Sequence, residues 1–212
     1  MATSKSASTD PARPPRRRVH TRERLLDAAG RVLVERGYGK TTVEDVCAAA
    51  GYTRGAFYSN FESKQDLVLA LFDRHSAHRL DQLEALLGDP APGAARRIGA
   101  LLLAVDPAER GWILLFLEFR LDAARSPELS ARLHEHDKAV TGALAPLLER
   151  MGAADPQRLA TFLLSSREGI LARTATGGPG SQEALDAAVD VLAELLPTLL
   201  PSLAPSPGRL VN

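Results

Sequence analysis

The sequence predicts an all-α chain built from a small N-terminal three-helix unit and a larger C-terminal helical domain. Apolar residues recur at helical spacing through most of the chain, no period-two alternation persists, and Gly or Pro breaks the pattern at intervals of about one helix. With 212 residues, 45% of them hydrophobic, the chain is long enough to bury a core.

The first element is preceded by residues 1–20, rich in Ser, Pro, Ala and Arg and nearly free of large apolar side chains, which predicts a flexible basic arm. No proline follows between Arg16 and Asp89. Leu25, Leu26, Ala29, Val32 and Leu33 share one face of a helix expected from about Thr21 to Gly37. A short helix follows from "TTVED", where Thr41 with Glu44 or Thr42 with Asp45 can form a capping box, and it runs to Ala50 before Gly51. Thr53 can cap a third helix, reaching about Phe61, and Ser63 a fourth, running to about Leu87. Beyond "GDPAPG" the pattern predicts helices over about 93–104, 107–124, 127–150, 156–176 and 182–200. Pro146 should kink the helix that contains it, Pro197 and Pro201 should kink and end the last one, "GGPGS" at 177–181 is a connecting loop, and 201–212 form a flexible tail.

Lys+Arg and Asp+Glu both number 26, but their distribution is uneven. Residues 1–66 carry 12 basic and 8 acidic side chains, while 67–212 carry 14 and 18. A basic head therefore precedes an acidic body. The single cysteine, Cys47, excludes an intrachain disulfide framework. The first 20 residues hold no apolar run resembling a signal, and no later run is long enough for a membrane span, so a cytoplasmic chain with no membrane partner is expected.

Function enters with the pair of short helices at 42–50 and 54–61. Their spacing is that of a helix-turn-helix. Gly51 can supply the positive φ of the turn, Cys47 and Ala48 to Ala50 are small enough for close approach, and Val46, Phe57 and Phe61 supply the inward contacts. The outward face then carries Arg54, Gly55, Tyr58 and Ser59. Arg54 near a helix start can fork onto guanine O6 and N7. Gly55 lets backbone approach a base edge or sugar, Tyr58 can donate to a phosphate, and Lys64 adds charge at the start of the fourth helix. Thr42 and Thr53 can bring hydroxyls and amides to flanking phosphates.

The segment Thr21–Phe72, "TRERLLDAAGRVLVERGYGKTTVEDVCAAAGYTRGAFYSNFESKQDLVLALF", resembles the N-terminal region of TetR-type (tetracycline-repressor-like) transcriptional regulators. The "LLDAA" helix, the "G-Y-x-x-T-T-V" junction, the "G-x-T-R-G-A-F-Y-x-x-F" segment and the "S-K-x-x-L" helix start occur in order. The resemblance covers about a quarter of the chain. It implies a DNA-binding domain over 21–66, an effector-binding and dimerisation domain over 67–200, and a homodimer joined through the last two long helices. Double-stranded operator DNA and a small-molecule effector are the partners it implies, with no cofactor. Release from a pseudo-palindromic operator on effector binding makes repression the expected activity. The DNA contacts carried over are Thr42, Thr53, Arg54, Gly55, Tyr58 and Lys64, with Ala56 and Asn60 on the same segment.

In the C-terminal part, Trp112, Phe116 and Phe119 form one helical stripe, either core or the wall of an effector pocket with Arg120 beside it. Arg167 can orient a polar ligand group or, with Glu168, pair across a dimer seam. Phe162, Ser166, Gly169, Ile170, Leu192 and Leu196 are the expected dimer residues. Arg13 to Arg18 can enter a minor groove or remain a solvated tail. His75 with His78, and His134 with His136 and Asp137, lack a convincing third ligand for a metal. No HExxH, P-loop, dinucleotide fingerprint or nucleophile elbow is present, so an enzyme is not expected. The rival readings are a helical small-molecule-binding protein, or a dimeric interaction scaffold that has lost DNA binding.

Overall fold

The computed structural model describes residues 16–88, 94–103, 109–175, 178 and 180–201. Residues 1–15, two of the five residues of "GGPGS" (177 and 179) and the tail beyond Pro201 are among those outside the described residues. Within them the chain forms α1 (Arg16–Arg36), α2 (Val43–Ala50), α3 (Arg54–Tyr58), α4 (Lys64–Gly88), α5 (Ala94–Leu103), α6 (Arg110–Ala123), α7 (Pro127–Arg150), α8 (Pro156–Thr174) and α9 (Ser181–Leu199). Helices α7 and α9 contain Pro146 and Pro197 and continue through them. No described helix is long and apolar enough to cross a membrane.

Local signals set the helix ends. Thr42 and Asp45 make the reciprocal capping box at α2, Thr53 Oγ1 accepts the Ala56 N–H at α3, and Ser63 Oγ accepts the Asp66 N–H at α4. Gly51, at φ 71° and ψ 33°, makes the left-handed turn between α2 and α3. Two boundaries differ from the expectation. Helix α1 begins at Arg16 rather than Thr21, and Arg18 Nη2 donates to the Ser59 carbonyl at 2.9 Å, so a tertiary contact accompanies turns that composition assigned to the arm. Helix α3 ends at Tyr58, although Phe61 N–H still bonds the Phe57 carbonyl at 2.9 Å.

Two apolar cores organise the molecule. One joins α1, α2, α3 and the first half of α4 to α6 and the start of α7, through Leu25, Phe57, Leu67, Phe72, Leu115 and Phe119 among others. The other lies among the end of α4, α5, α7, α8 and α9, around Leu83, Ile98, Leu148, Leu163 and Leu196. Helix α4 contributes to both, and the expected division at 66/67 falls inside its first turn. The head is therefore not packed as a separate ball.

The joint between α1 and α6 is tight. A Cβ on Gly111 would overlap the Val34 side chain, so a larger residue there forces Val34 or the helices to shift. Beyond it Tyr38, just after α1, meets Phe119 edge-on at 5.3 Å, donates its N–H to Glu118 at 2.6 Å and its hydroxyl to Asp122 at 3.2 Å. Burial, then the Asp122 charge, pushes the Tyr38 hydroxyl well above the ordinary phenol value. Lys64 Nζ, 4.0 Å from the Tyr38 ring, donates to the carbonyls of Tyr38 and Thr41 at 2.9 and 3.1 Å.

Phe119 is thus a member of the joint and not of a pocket wall, so for this residue of the stripe the core alternative holds. Seven residues beyond Trp112, it lies about 10 Å further along the helix, in the layer of Tyr38 and Phe72. Fully buried, it should cost about 3–5 kcal/mol on Phe119→Ala, and Gly111→Ala about 1–3 kcal/mol by overpacking. Urea unfolding of both variants at fixed protein concentration checks these values.

Candidate nucleic-acid interface and effector cavity

The outward face of the helix-turn-helix follows from what the inner face buries. Val46 and Phe57 are fully buried and Phe61 nearly so, with the two Phe rings 5.7 Å apart. That packing leaves Arg54, Gly55, Tyr58 and Ser59 exposed, with Tyr58 at 49%. Arg54 Nη1 lies 2.7 Å from Glu44 of α2 and its guanidinium 5.7 Å from the Tyr58 ring centre. Both sides of that ion pair are more than half exposed, so it adds little stability and can be given up. Among the described residues, Thr53 Oγ1, at 3.8 Å, is the one atom outside the local backbone within 4 Å of the place where a Cβ on Gly55 would stand, and none of them requires glycine there.

The remaining expected contacts divide. Thr42 and Thr53 are exposed at helix starts, their hydroxyls engaged in capping. Ala56 is half-buried, and Asn60 Nδ2 donates to the Ala56 carbonyl at 2.8 Å, tying down the end of α3. Lys64 has two donor directions committed to the loop after α1. Burial holds its ammonium below the usual lysine value, against the pull of Asp122 and Glu118. The arm is represented by Arg18, whose bond to Ser59 places the start of α1 beside the end of α3.

A cavity of about 430 Å³ lies in the C-terminal half, bounded by α4, α5, α6, α7 and α8. Its apolar wall includes Leu80, Leu83, Leu101, Trp112, Phe116 and Leu164. Of the expected pocket residues, Trp112, Phe116, Arg120 and Arg167 line it. The α4 contribution, Phe72, His75, Ser76 and Arg79, is not legible in the sequence, where the three-residue spacing of His75 and His78 suggests only a metal site. His75 instead stacks on Trp112 with ring centres 4.4 Å apart and planes 18° apart. Arg120 Nη2 bridges Asp137, at 2.9 Å to both oxygens, and Glu168 at 2.7 Å, while its guanidinium covers the Phe116 ring at 4.6 Å. Arg79 donates to Glu109 at 3.1 Å and to the Leu101 carbonyl.

The dimer expectation needs one correction. Leu196 is fully buried in the second core and Leu192 packs beside Gly99 of α5, so both face inward. Helix α9 is apolar on two faces, and periodicity alone could not choose between them. Its exposed apolar side carries Val191 at 56% and Leu195 at 49%. On α8, Phe162 is 59% exposed, Gly169 is exposed with nothing within 4 Å of an added Cβ, and Ser166 and Ile170 are half-buried.

The family profile described as "Bacterial regulatory proteins, tetR family" matches residues 25–71, and that of the "Tetracyclin repressor-like, C-terminal domain" matches 89–198. The chain belongs to the TetR family. It is 34% identical over 169 residues to the probable HTH-type transcriptional regulator ArpR of Pseudomonas putida, covering 72% of this chain and 79% of that one. It is 28% identical to the HTH-type transcriptional repressor AcnR of Corynebacterium efficiens, over 79% of this chain and 90% of the relative. A TetR-family regulator from Pectobacterium atrosepticum superposes with a TM-score of 0.65 at 26% identity, covering 89% and 98% of the two chains. The protein is accordingly a DNA-binding transcriptional regulator of a non-enzymatic family whose members bind operator DNA as homodimers and respond to small-molecule effectors.

Any molecule that fills the cavity must touch Trp112, the one tryptophan of the chain. Ligand titration should therefore shift its emission, and the signal should vanish in Trp112→Phe while binding, followed by calorimetry, persists.

Proposed function

We propose that the protein is a cytoplasmic repressor whose α3 enters the major groove and whose C-terminal cavity, once filled, releases it from a two-fold symmetric operator. The observation that supports this reading best is Gly55. Glycine is a poorer helix former than alanine, and no described residue packs close enough to Gly55 to require it, which supports the close approach of another molecule to this face.

In this reading Arg54 exchanges Glu44 for a guanine edge, Tyr58 donates to a phosphate, and the amides and hydroxyls at Thr42 and Thr53 meet flanking phosphates. Lys64 acts through its third donor on a phosphate while its other two hold the loop after α1. Asn60 and Ala56 shape the end of α3 instead of reading bases. The homodimer is joined through Phe162, Ser166, Gly169 and Ile170 on α8 with Val191 and Leu195 on α9, whose exposed apolar surface a partner copy would cover.

Coupling runs through α6. One side carries Trp112, Phe116 and Arg120 into the cavity and another holds Glu118, Phe119 and Asp122 against Tyr38. A ligand that displaces α6 pulls on the loop that positions α2. Glu118→Ala should leave the affinity for DNA and for the ligand each within about threefold, yet diminish the ligand's effect on DNA binding, because coupling free energies are themselves only about 1–3 kcal/mol. Unchanged coupling in that variant refutes the route through Tyr38.

Selection from a randomised duplex pool should enrich a two-fold symmetric site with the natural protein. With Arg54→Ala the site should bind roughly 10- to 100-fold more weakly and tolerate any base at one position per half-site. An equal loss on specific and random duplex would reject base reading by Arg54. Gly55→Ala should unfold no earlier than the natural protein and still lose the operator.

A further inference from the structure

Within the cavity, resting on its reading as the effector site, one cation stands out. Arg79 and Arg120 are each answered by carboxylates, Glu109 for the first and Asp137 with Glu168 for the second. Arg167, on α8 between them, is not. Its Nε is closed to solvent and has no hydrogen-bond partner, and no carboxylate of a described residue lies within ion-pair distance of it. Glu109 and Glu168 attract it from further away, with one oxygen of each already engaged, by Arg79 and Arg120 respectively.

Arg167 is half-buried as a residue, but a guanidinium Nε taken out of water without a hydrogen bond is costly, and folded chains normally pair such a group. Burial, and then the like charge of Arg79, lowers Arg167 to about 10, which still leaves it charged at neutral pH. Arg120 Nε is also buried and unpartnered, so among the described residues the cavity offers donors in excess of acceptors. The missing component is an anionic acceptor that no described residue supplies. A cation would meet three arginines whose neighbouring carboxylates are already taken. A neutral apolar molecule would fill the walls but leave Arg167 unanswered.

We propose that the effector cavity takes an apolar carboxylic acid in its anionic form, with the carboxylate on Arg167 and the hydrocarbon body along Trp112, Phe116, Leu80, Leu83 and Leu101. The planar fork of Arg167 suits two parallel N–H···O bonds to a carboxylate. A volume of about 430 Å³ lies in the range that holds a drug-sized molecule.

The test uses decanoate, 4-phenylbutyrate, decanol and decyltrimethylammonium as probes on the full chain. Binding is read from Trp112 emission, and release of a labelled selected operator from anisotropy. Both carboxylates should bind roughly 10- to 100-fold more tightly than decanol, decyltrimethylammonium should not compete, and Arg167→Met should erase the preference for carboxylate over alcohol. Arg167→Met should also melt at a higher temperature than the natural protein when ligand-free, because it removes an unanswered buried charge; an arginine needed only for the fold would melt lower. Equal affinity for decanol and decanoate, preference for the cation, binding of none of the probes, or a carboxylate preference that survives Arg167→Met would each overturn the proposal. Carboxylate binding that leaves the operator bound would uphold the ligand class and refute ligand-driven release, and loss of operator binding with no ligand present would refute the regulator reading alone.

Discussion

The close contact of α6 with α1 is the constraint on which the rest of the molecule depends. A glycine at position 111 lets the two helices meet with Val34 in the gap, and this sets the height at which Phe119, Glu118 and Asp122 arrive beside Tyr38. The apolar core then closes around this joint from both sides, which is why residues of the head and the body appear in one cluster.

From that joint the two functional surfaces diverge. Toward the head, Lys64 fastens the Tyr38 and Thr41 carbonyls, and the capping box at Thr42 begins α2 immediately afterwards. Toward the body, the same α6 forms one wall of the cavity, and Arg120 links it to α7 and α8 through Asp137 and Glu168. A single rigid rod thus has one side in each region. Helix α4 repeats the arrangement, starting at Lys64 in the head and reaching Arg79 in the cavity wall.

Much of this was legible in the sequence, and the parts that were not share a cause. Caps and breakers act within four residues, so Thr42, Thr53, Ser63 and Gly51 announced their helices directly. The inward Phe57 and Phe61 followed from spacing, and so did the exposed Arg54 and Tyr58. Contacts between distant segments were hidden. Nothing local distinguishes Phe119 from Phe116, since both lie on one stripe, and only the position of Tyr38 separates them. Likewise α9 is apolar on two sides, and it takes α5 to show that Leu192 and Leu196 are the inner pair. The start of α1 escaped notice because its contact partner, Ser59, is 41 residues away. The cavity was visible as aromatic and arginine residues in two separate helices, but the accounting of which arginine is answered needs the carboxylates of α6, α7 and α8 in place.

The ion pair between Arg54 and Glu44 has a consequence for how such a head searches DNA. In free protein Arg54 Nη1 rests on Glu44 at 2.7 Å, and in the proposed complex a duplex competes with that carboxylate for it. A guanine edge replaces the lost partner with two hydrogen bonds in the right plane. A stretch of wrong sequence does not, and it also brings its phosphates toward an unmasked carboxylate. If Arg54 reads a base as proposed, the pair is a weak intramolecular competitor that a matching guanine edge replaces and a wrong sequence does not, so part of the discrimination belongs to the resting state of the head.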